Sequence, residues 1–482
     1  MKLLLAVLLL VCIENSFSQI KVSHSVPQEF KLIDKKTENA TYTTENADYF
    51  ILKNMNMSVN FGQRIVVADK SGKITAAKEL KFNPGTFNNS LEIISMGVVK
   101  NTLAAFVTNH NKGEGKNTLS IRTIDEKGDF SSTDISVGQI PFLKLTNPGD
   151  WYINVTPDKK HVAVVGQLPH EKNKADQFVY YFLDENFKQI STGQFSFPSV
   201  LQNIGITELL ASDKGDFHLL SQEYDKSYLY PVIYQAKINS TETNIVPVKI
   251  EDPGLKNIGY KSVMNTKGEV VLAGYTQAKK TLSSGNSISG TWNFNSSKPA
   301  EVKTEPFEKP IENLVPSSLL LNGNTYYLIG EQYTKSRETP TSQQVLAREE
   351  NFNFTYGDIV VIAFDEGGLK KFQIPLSRNL SARNVYQDLA IATGILNNKL
   401  TLIYNDQYNK YVNSGNEYKY VKLPVATSIT NDGLMEQPSA YSKEFDVLNT
   451  SYKLYPLFNS TSNNRMVLLS ADDSNIKAAV FK

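Results

Sequence analysis

The stretch DIVVIAFDEGGLKKFQIPL, from Asp358 to Leu376, reads as a strand, a tight turn and a second strand. Its β-branched and apolar residues suit a buried strand, and Asp-Glu-Gly-Gly suits a chain reversal. Similar stretches precede it, among them RIVVADKSGKITAAKELKF and LSIRTIDEKGDFSSTDISV. The turns of this family lie near Asp69, Asp125, Asp184, Asn239, Asn295, Asp365 and Asp432. Such recurrence along the whole chain indicates a repeat architecture.

A second family of short apolar strands alternates with these hairpins. Its members lead into polar loops and begin at Tyr49, Thr102, His161, Asp216, Glu269, Thr325, Lys399 and Arg465, so successive starts lie 53 to 74 residues apart. No stretch keeps a helical periodicity. Four strands per unit predict an all-β fold, a single β-propeller. Eight units favour eight blades, with seven blades as the alternative, and a pair of β-sandwiches is disfavoured because sandwiches rarely repeat so evenly.

One repeat carries a family resemblance. The segment NVTPDKKHVAVVGQ, Asn154–Gln167, resembles the SPDGKxIAF repeat of TolB-type propellers, with Lys159 where glycine is usual. The Gly-His and Trp-Asp signature of a standard WD40 array is missing, so the repeats are only TolB/WD40-like. The Lys/Asn-rich composition and the SFSQ segment are similar to those of secreted Bacteroidota proteins. This resemblance implies a bacterial envelope protein.

The last blade needs a strand from elsewhere. A ring must close, because an open ring exposes strand edges, and the hairpin that would follow IKAAVFK is cut off at Lys482. The N-terminal segment Lys21–Ile33 can supply the outer strand of the blade begun by residues 443–482. The sequence therefore predicts a propeller over residues 19–482, closed by an N-terminal strand.

The first eighteen residues have the layout of a secretory signal peptide. One lysine precedes an apolar run from Leu3 to Ile13, which is followed by a polar stretch. This run is shorter than the roughly 20 residues that span a bilayer. Val11 before Cys12 does not match a lipobox. We expect residues 1–18 to be a signal peptide and the mature chain to be secreted or periplasmic, in the cell envelope.

Composition excludes several classes of function. Cys12 is the single cysteine, so the mature chain would have no disulfide, thiolate metal site or cysteine nucleophile. The formal net charge is +1, with no long basic run, which argues against nucleic-acid binding. No further apolar segment approaches membrane-spanning length, so we expect no transmembrane segment, and we expect a monomer.

Catalytic and metal-binding motifs are weak. The histidines form no His-x-x-x-His pair, and each is interpreted as an ordinary surface or turn residue: His24, His110, His161, His170 and His218. The turn aspartates suit hairpins and are spread one per blade, so they cannot converge as a catalytic pair must. No Gly-x-Ser-x-Gly elbow occurs. We predict no metal and no cofactor, and no catalytic residue can be named.

Long insertions fall at one structural place, after the short apolar strand of each unit and before its hairpin. Equivalent loops of a propeller project from one face, and loops on a rigid scaffold often bind ligands. The longest is Glu331–Gly357, and a tyrosine-rich segment follows Tyr404. Tyrosine suits sugar rings and peptide partners. The candidate ligand-binding residues are Tyr333, Lys335, Arg337, Arg348, Tyr356, Tyr408 and Tyr411, the last pair assigned to a loop.

Three tyrosines are assigned to structure instead. Tyr228, Tyr230 and Tyr234 are expected to pack within strands between blades. The favoured function is therefore non-catalytic binding or scaffolding, with a protein or glycan engaged by the long-loop face. The alternative is a propeller enzyme, a glycosidase or lyase, with acids near the central channel; a structural role in an envelope assembly is a third reading. Fold alone does not decide among these functions.

Overall fold

The structure is a computed structural model, and the strands among its described residues form eight antiparallel sheets. It describes residues 20–26, 28–29, 37–54, 63–80, 85–86, 89–143, 147–225, 228–252, 254–278, 287–298, 301–338, 351–383, 390–412, 417–440, 453–462, 464–471 and 475–482. These residues contain strands and turns and no helix, and hence no helix that could cross a membrane. The predicted signal peptide, residues 1–18, lies outside the described residues.

Eight four-stranded blades follow one another along the chain, which confirms the predicted count. Blade 1 comprises Thr37–Thr43, Ala47–Asn54, Gln63–Asp69 and Ile74–Leu80, and blade 2 comprises Asn89–Val99, Thr102–Asn111, Lys116–Ile124 and Ile135–Pro141, with the short Gly85–Thr86. Blade 3 comprises Asp150–Val155, Val162–Gln167, Gln177–Leu183 and Gln189–Ser196, and blade 4 comprises Ile206–Ala211, Asp216–Asp225, Tyr228–Lys237 and Thr243–Pro247.

Blades 5 to 8 continue the pattern with two longer hairpins. Blade 5 comprises Leu255–Met264, Val270–Ala278, Ser287–Asn295 and Val302–Glu312, and blade 6 comprises Leu314–Asn322, Thr325–Arg337, Phe352–Asp365 and Lys370–Leu376, with the extra strand Leu380–Arg383. Blade 7 comprises Ile391–Leu396, Lys399–Val412, Glu417–Ile429 and Ser439–Ala440. Blade 8 comprises Lys453–Ser462, Arg465–Ala471 and Asn475–Phe481, and it is completed by Val22–His24 and Gln28–Glu29.

The blades form a closed ring around their first strands. Each first strand contacts the first strands of the blades before and after it, and the first strand of blade 8 contacts that of blade 1. Each of the eight interfaces between neighbouring blades holds its own apolar cluster. Because the sheets pack face to face in a circle, the β-sandwich alternative is wrong.

An N-terminal strand closes the ring, as predicted. Val22–His24 pairs antiparallel with Asn475–Phe481, the third strand of blade 8. The same seam carries a buried ion pair, in which Arg465 Nη2 lies 2.6 Å from Asp48 Oδ2 of blade 1. Arg465 also donates to the backbone oxygens of Asp69 and Lys70. The first and last blades are thus joined by strand pairing, by apolar packing and by charge.

The disc has two different faces. On the short-turn face, tight turns join the first strand to the second and the third to the fourth; on the long-loop face lie the second-to-third connections and the links between blades. The turn aspartates act as predicted: the Asp125 carboxylate accepts backbone N–H bonds from Lys127 and Asp129, and Asp184 accepts two in the same way. The short-turn face is therefore built from self-capped hairpins.

Candidate binding face

The described part of the longest predicted loop, Glu331–Gly357, is largely strand, which corrects the prediction of a loop. Residues Glu331–Arg337 and Phe352–Gly357 continue the second and third strands of blade 6 as a hairpin beyond the body of the blade. The strand Leu380–Arg383 pairs with its outer edge. The sequence misled because Lys, Ser, Thr and Glu suggest a loop, whereas cross-strand pairing satisfies the backbone without apolar side chains.

Four of the predicted site residues lie on one face of this blade-6 hairpin. Tyr333 is opposite Tyr356, Lys335 is opposite Phe354, and Arg337 is opposite Phe352. Side chains two residues apart share a face, so all six point the same way. These four residues are thus brought together by strand pairing and not by a loop, and their role in ligand binding stays a prediction.

The aromatic rings of the hairpin pack against one another. The ring centroids of Tyr333 and Tyr356 are 5.0 Å apart, and the Lys335 ammonium lies 4.1 Å from the centroid of Phe352. Phe354 is buried, and Leu380 from the extra strand is fully buried beside it. Tyr333 and Tyr356 therefore build a small core for the hairpin. Thr334, Lys335, Ser336 and Arg337 are exposed on the first strand of the hairpin, and Asn353 and Thr355 on the second.

A buried ion pair fixes the base of the hairpin. Arg378 Nη2 lies 2.7 Å from Glu331 Oε2, with the two side chains 0% and 7% exposed. Ser317 donates to the other Glu331 oxygen, and the Arg378 guanidinium lies over Tyr356 and donates from Nε to the Gly357 carbonyl. Sequence reasoning missed this pair because its partners are 47 residues apart.

The remaining predicted site residues have different outcomes. Arg348 lies outside the described residues. Tyr408 and Tyr411 were assigned to a loop, and this is wrong, because both lie in the strand Lys399–Val412, which pairs with Glu417–Ile429 as a second long hairpin in blade 7. The two long hairpins belong to neighbouring blades, and the extra strand of blade 6 contacts the second strand of blade 7.

The interpretation as a surface or turn residue is wrong for His218. His218 is buried in the second strand of blade 4, where burial lowers its pKa to about 4 against a smaller opposing effect of Asp216. A buried imidazole is disfavoured in its charged form because the ion loses its hydration. Phe217, Leu219 and Leu220 beside it are fully buried, so this strand is covered on both faces.

His170 forms the clearest catalytic-type geometry on the long-loop face. Its Nδ1 lies 2.6 Å from Oδ1 of Asp176, whose side chain is fully buried. The other Asp176 oxygen accepts bonds from the backbone N–H of Ile204 and from Gln167. The Asn147 side chain holds the His170 backbone, because its amide donates to the His170 carbonyl and its oxygen accepts from the His170 N–H. A buried carboxylate that orients a partly exposed imidazole is typical of general bases and of metal ligands.

Acidic side chains also occur on the first strands that surround the central channel. Glu208, in the first strand of blade 4, accepts a hydrogen bond of 2.5 Å from Ser262 in the first strand of blade 5. Within the described ranges, no group of three or more His, Cys, Asp or Glu side chains is placed to hold a metal ion. Through its bond with Ser262, the Glu208 carboxylate links blade 4 to blade 5.

The predicted structural tyrosines of blade 4 differ among themselves. Tyr234 is 1% exposed and packs between blades 3 and 4, as predicted. Tyr230 is half-buried and lines a surface groove, so packing is only part of its role. For Tyr228 only the backbone is described, in the third strand of blade 4.

Comparisons with known proteins place this chain in no family. No protein-family model matches the chain, and no curated protein matches it. Among solved structures, the chain is similar to the WD40 domain of SCAP from fission yeast, at 9% identity and a TM-score of 0.43, covering 96% of this chain and 94% of that one. It is also similar to the β-propeller domain of the Trilobed protease from Pyrococcus furiosus, at 8% identity and a TM-score of 0.32, covering 72% and 98%.

A third likeness is to a levansucrase variant from B. megaterium, at 9% identity and a TM-score of 0.34, covering 62% of this chain and 87% of that one. These structures belong to proteins with different roles, and all three likenesses are weak. The assignment of the chain to the β-propellers rests on its own strand pairing and closed ring.

Proposed function

We propose that this chain is a non-catalytic binding or scaffold propeller that engages a protein partner through its long-loop face. The observation that carries the proposal is the blade-6 hairpin, which is braced at its base by the buried Arg378–Glu331 pair. Because the hairpin is already ordered, little conformational entropy is lost when a partner binds to it. The exposed Lys335 and Arg337 favour an acidic partner surface.

The packing of the aromatic rings favours a protein over a glycan at this place. A sugar ring stacks on an open aromatic face, whereas Tyr333 is packed against Phe354 and Tyr356, and the Phe352 ring is covered by the Lys335 ammonium. The exposed part of the hairpin offers backbone and basic side chains. Those groups suit an acidic peptide or protein surface.

Photo-crosslinking tests this proposal. We would place a benzophenone amino acid at Arg337, on the blade-6 hairpin, and in a matched variant at Lys267, an exposed lysine of the short-turn face. Exposed to an extract of the source cell envelope, the Arg337 variant should give one dominant crosslinked protein and the Lys267 variant should not. The same label placed at Thr334, an exposed position of the hairpin outside residues 335–352, should lose its adduct when those residues are deleted. An adduct that survives the deletion, or equal labelling from both faces, would sink the proposal.

Export is part of the same proposal. Residues 1–18 have the layout of a signal peptide, so we propose a secreted or periplasmic protein of a bacterial envelope. N-terminal sequencing of the protein purified from the extracytoplasmic fraction should begin near Gln19. Recovery of an intact Met1 from the cytoplasm would contradict it.

The second candidate function is an enzyme, favoured by the oriented His170 imidazole. If His170 acts as a general base, His170→Asn should remove turnover of fluorogenic glycosides or of uronide polymers. Glu171→Gln, next to the dyad in an exposed ion pair with Lys174, is the matched control. Equal activity in both variants would rule out this candidate.

A further inference from the structure

A groove of about 600 Å³ lies on the long-loop face in blade 4, two blades away from the blade-6 hairpin. Its floor is the end of the blade 4 sheet, with Tyr230 and Tyr234, and one wall is the link from blade 3, which carries Val200 and Leu201. This volume is within the range of about 300–1,000 Å³ that is usual for small-molecule sites. Leu201 is 57% exposed at the rim, so the groove is open to solvent.

Glu223 is the polar centre of the groove. One carboxylate oxygen accepts a hydrogen bond of 3.0 Å from the Tyr230 hydroxyl, and the other accepts one of 2.7 Å from the Tyr234 hydroxyl. Two phenols therefore fix the orientation of the carboxylate and leave each oxygen with a second lone pair. Burial, followed by the bond to Glu223, raises the pKa of Tyr234, so this phenol remains a donor.

Lys249 supplies the opposite charge. Its ammonium lies 4.4 Å from the centroid of the Tyr230 ring, and no ion pair of Lys249 is observed among the described residues. Glu223 and Lys249 thus flank the same phenol with charges that cancel. A ligand with a net charge would be repelled by one of the two groups, whereas hydroxyl groups can donate to the carboxylate and accept from the ammonium.

We propose that this groove binds a neutral oligosaccharide. Sugar hydroxyls would donate to the free lone pairs of Glu223 and accept from Lys249, and further hydrogen bonds would come from Ser199 and Gln202. The C–H faces of the sugar would lie against Val200 and Pro247 at the groove wall. This site goes beyond the proposed protein partner, because it lies in blade 4 and uses none of the hairpin residues.

The test uses the full chain, with a glycan array as the screen. The probes are neutral oligosaccharides of hexoses and N-acetylhexosamines, with uronic acid oligomers and dipeptides as charged and zwitterionic comparisons. The best neutral binder is then measured by titration calorimetry. Glu223→Gln, which keeps the shape and removes the charge, should raise its Kd by about tenfold or more, because hydrogen bonds to charged groups are the stronger ones.

Matched variants separate binding from folding. Glu185→Gln removes a carboxylate on the short-turn face, where Glu185 pairs with Lys100, and should leave the Kd unchanged. If Glu223→Gln does not fold, Lys249→Met decides, since Lys249 is exposed. Deletion of residues 335–352 should leave sugar binding intact, so failure of the hairpin proposal and failure of this one are distinguishable.

Three results would overturn the proposal. One is that no neutral oligosaccharide binds at millimolar concentration. Another is that a neutral sugar binds with the same Kd when Glu223 or Lys249 is replaced. The third is that dipeptides or uronic acid oligomers bind in place of neutral sugars, which would show that the two charges select an ionic ligand.

Discussion

Arg465–Asp48 and Arg378–Glu331 are both buried arginine–carboxylate pairs, and they lie on opposite faces of the disc. The first joins residues 417 positions apart and connects the last blade to the first at the short-turn face. The second acts within blade 6 and anchors a hairpin that projects from the long-loop face. The same chemistry therefore serves ring closure on one face and the presentation of a binding element on the other.

This contrast extends to the faces as a whole. The short-turn face consists of turns that cap themselves, as Asp125 and Asp184 do. The long-loop face carries the blade-6 hairpin, the His170–Asp176 pair and the Glu223 groove. A change on the first face should reduce stability, whereas a change on the second should alter binding more than stability.

The largest effect is expected at the ring seam. Arg465→Met leaves the Asp48 carboxylate buried without its cation, and such a loss costs about 3–5 kcal/mol of the free energy of unfolding. Chemical denaturation followed by tryptophan fluorescence would measure it. Arg122→Met is the matched control, since Arg122 pairs with the more exposed Asp134 and should cost only about 0–1 kcal/mol. Equal losses in both variants would contradict a special role for the seam.

The next effect depends on pH. The pKa of His218 is lowered to about 4 in the folded chain, below its unfolded value of about 6.5. Between those values the unfolded chain binds a proton that the native chain does not, so stability is complete above about pH 6.5 and falls as the pH drops toward 4. The loss is about 3 kcal/mol. Denaturation of the His218→Leu variant between pH 7 and 4 should lack this component; an unchanged pH slope would refute the assignment.

A smaller, local effect is expected at the base of the blade-6 hairpin. Arg378→Met leaves Glu331 buried beside Ser317, so the hairpin should open more often while the ring stays folded. Hydrogen exchange at Tyr333–Arg337 should accelerate by about tenfold or more, with blades 1 to 4 unchanged. If exchange rose equally in all blades, the hairpin would not be an independent unit.

The smallest effect on stability is expected from removing the hairpin tip. Deletion of residues 335–352, closed by a short turn, should change the free energy of unfolding by about 1 kcal/mol or less, because the ring interfaces are untouched. The crosslink from a label at Thr334, which lies on the hairpin outside the deletion, should nevertheless be lost. A large loss of stability would place the hairpin in the core of the fold.

Strand periodicity and turn residues were sufficient to predict the eight blades and the N-terminal closing strand. Those features are local, since a hairpin such as Asp358–Leu376 pairs with itself and its Asp365 caps its own turn. The site was predicted less completely. Tyr333, Lys335, Arg337 and Tyr356 were grouped correctly on one element, but Glu331–Gly357 was assigned to a loop because its polar residues carry no strand signal.

By itself the sequence determined the all-β repeat, and it favoured eight blades over seven and insertions on a single face, because period-two strands and glycine or aspartate turns act over a few residues. Only the tertiary structure decided which side chains meet. Arg378 meets Glu331, and His170 meets Asp176, which Ile204 holds. Glu223 and Lys249 both contact Tyr230. These contacts combine residues from different strands or different blades. Such contacts depend on how blades pack around the ring, which no local pattern specifies.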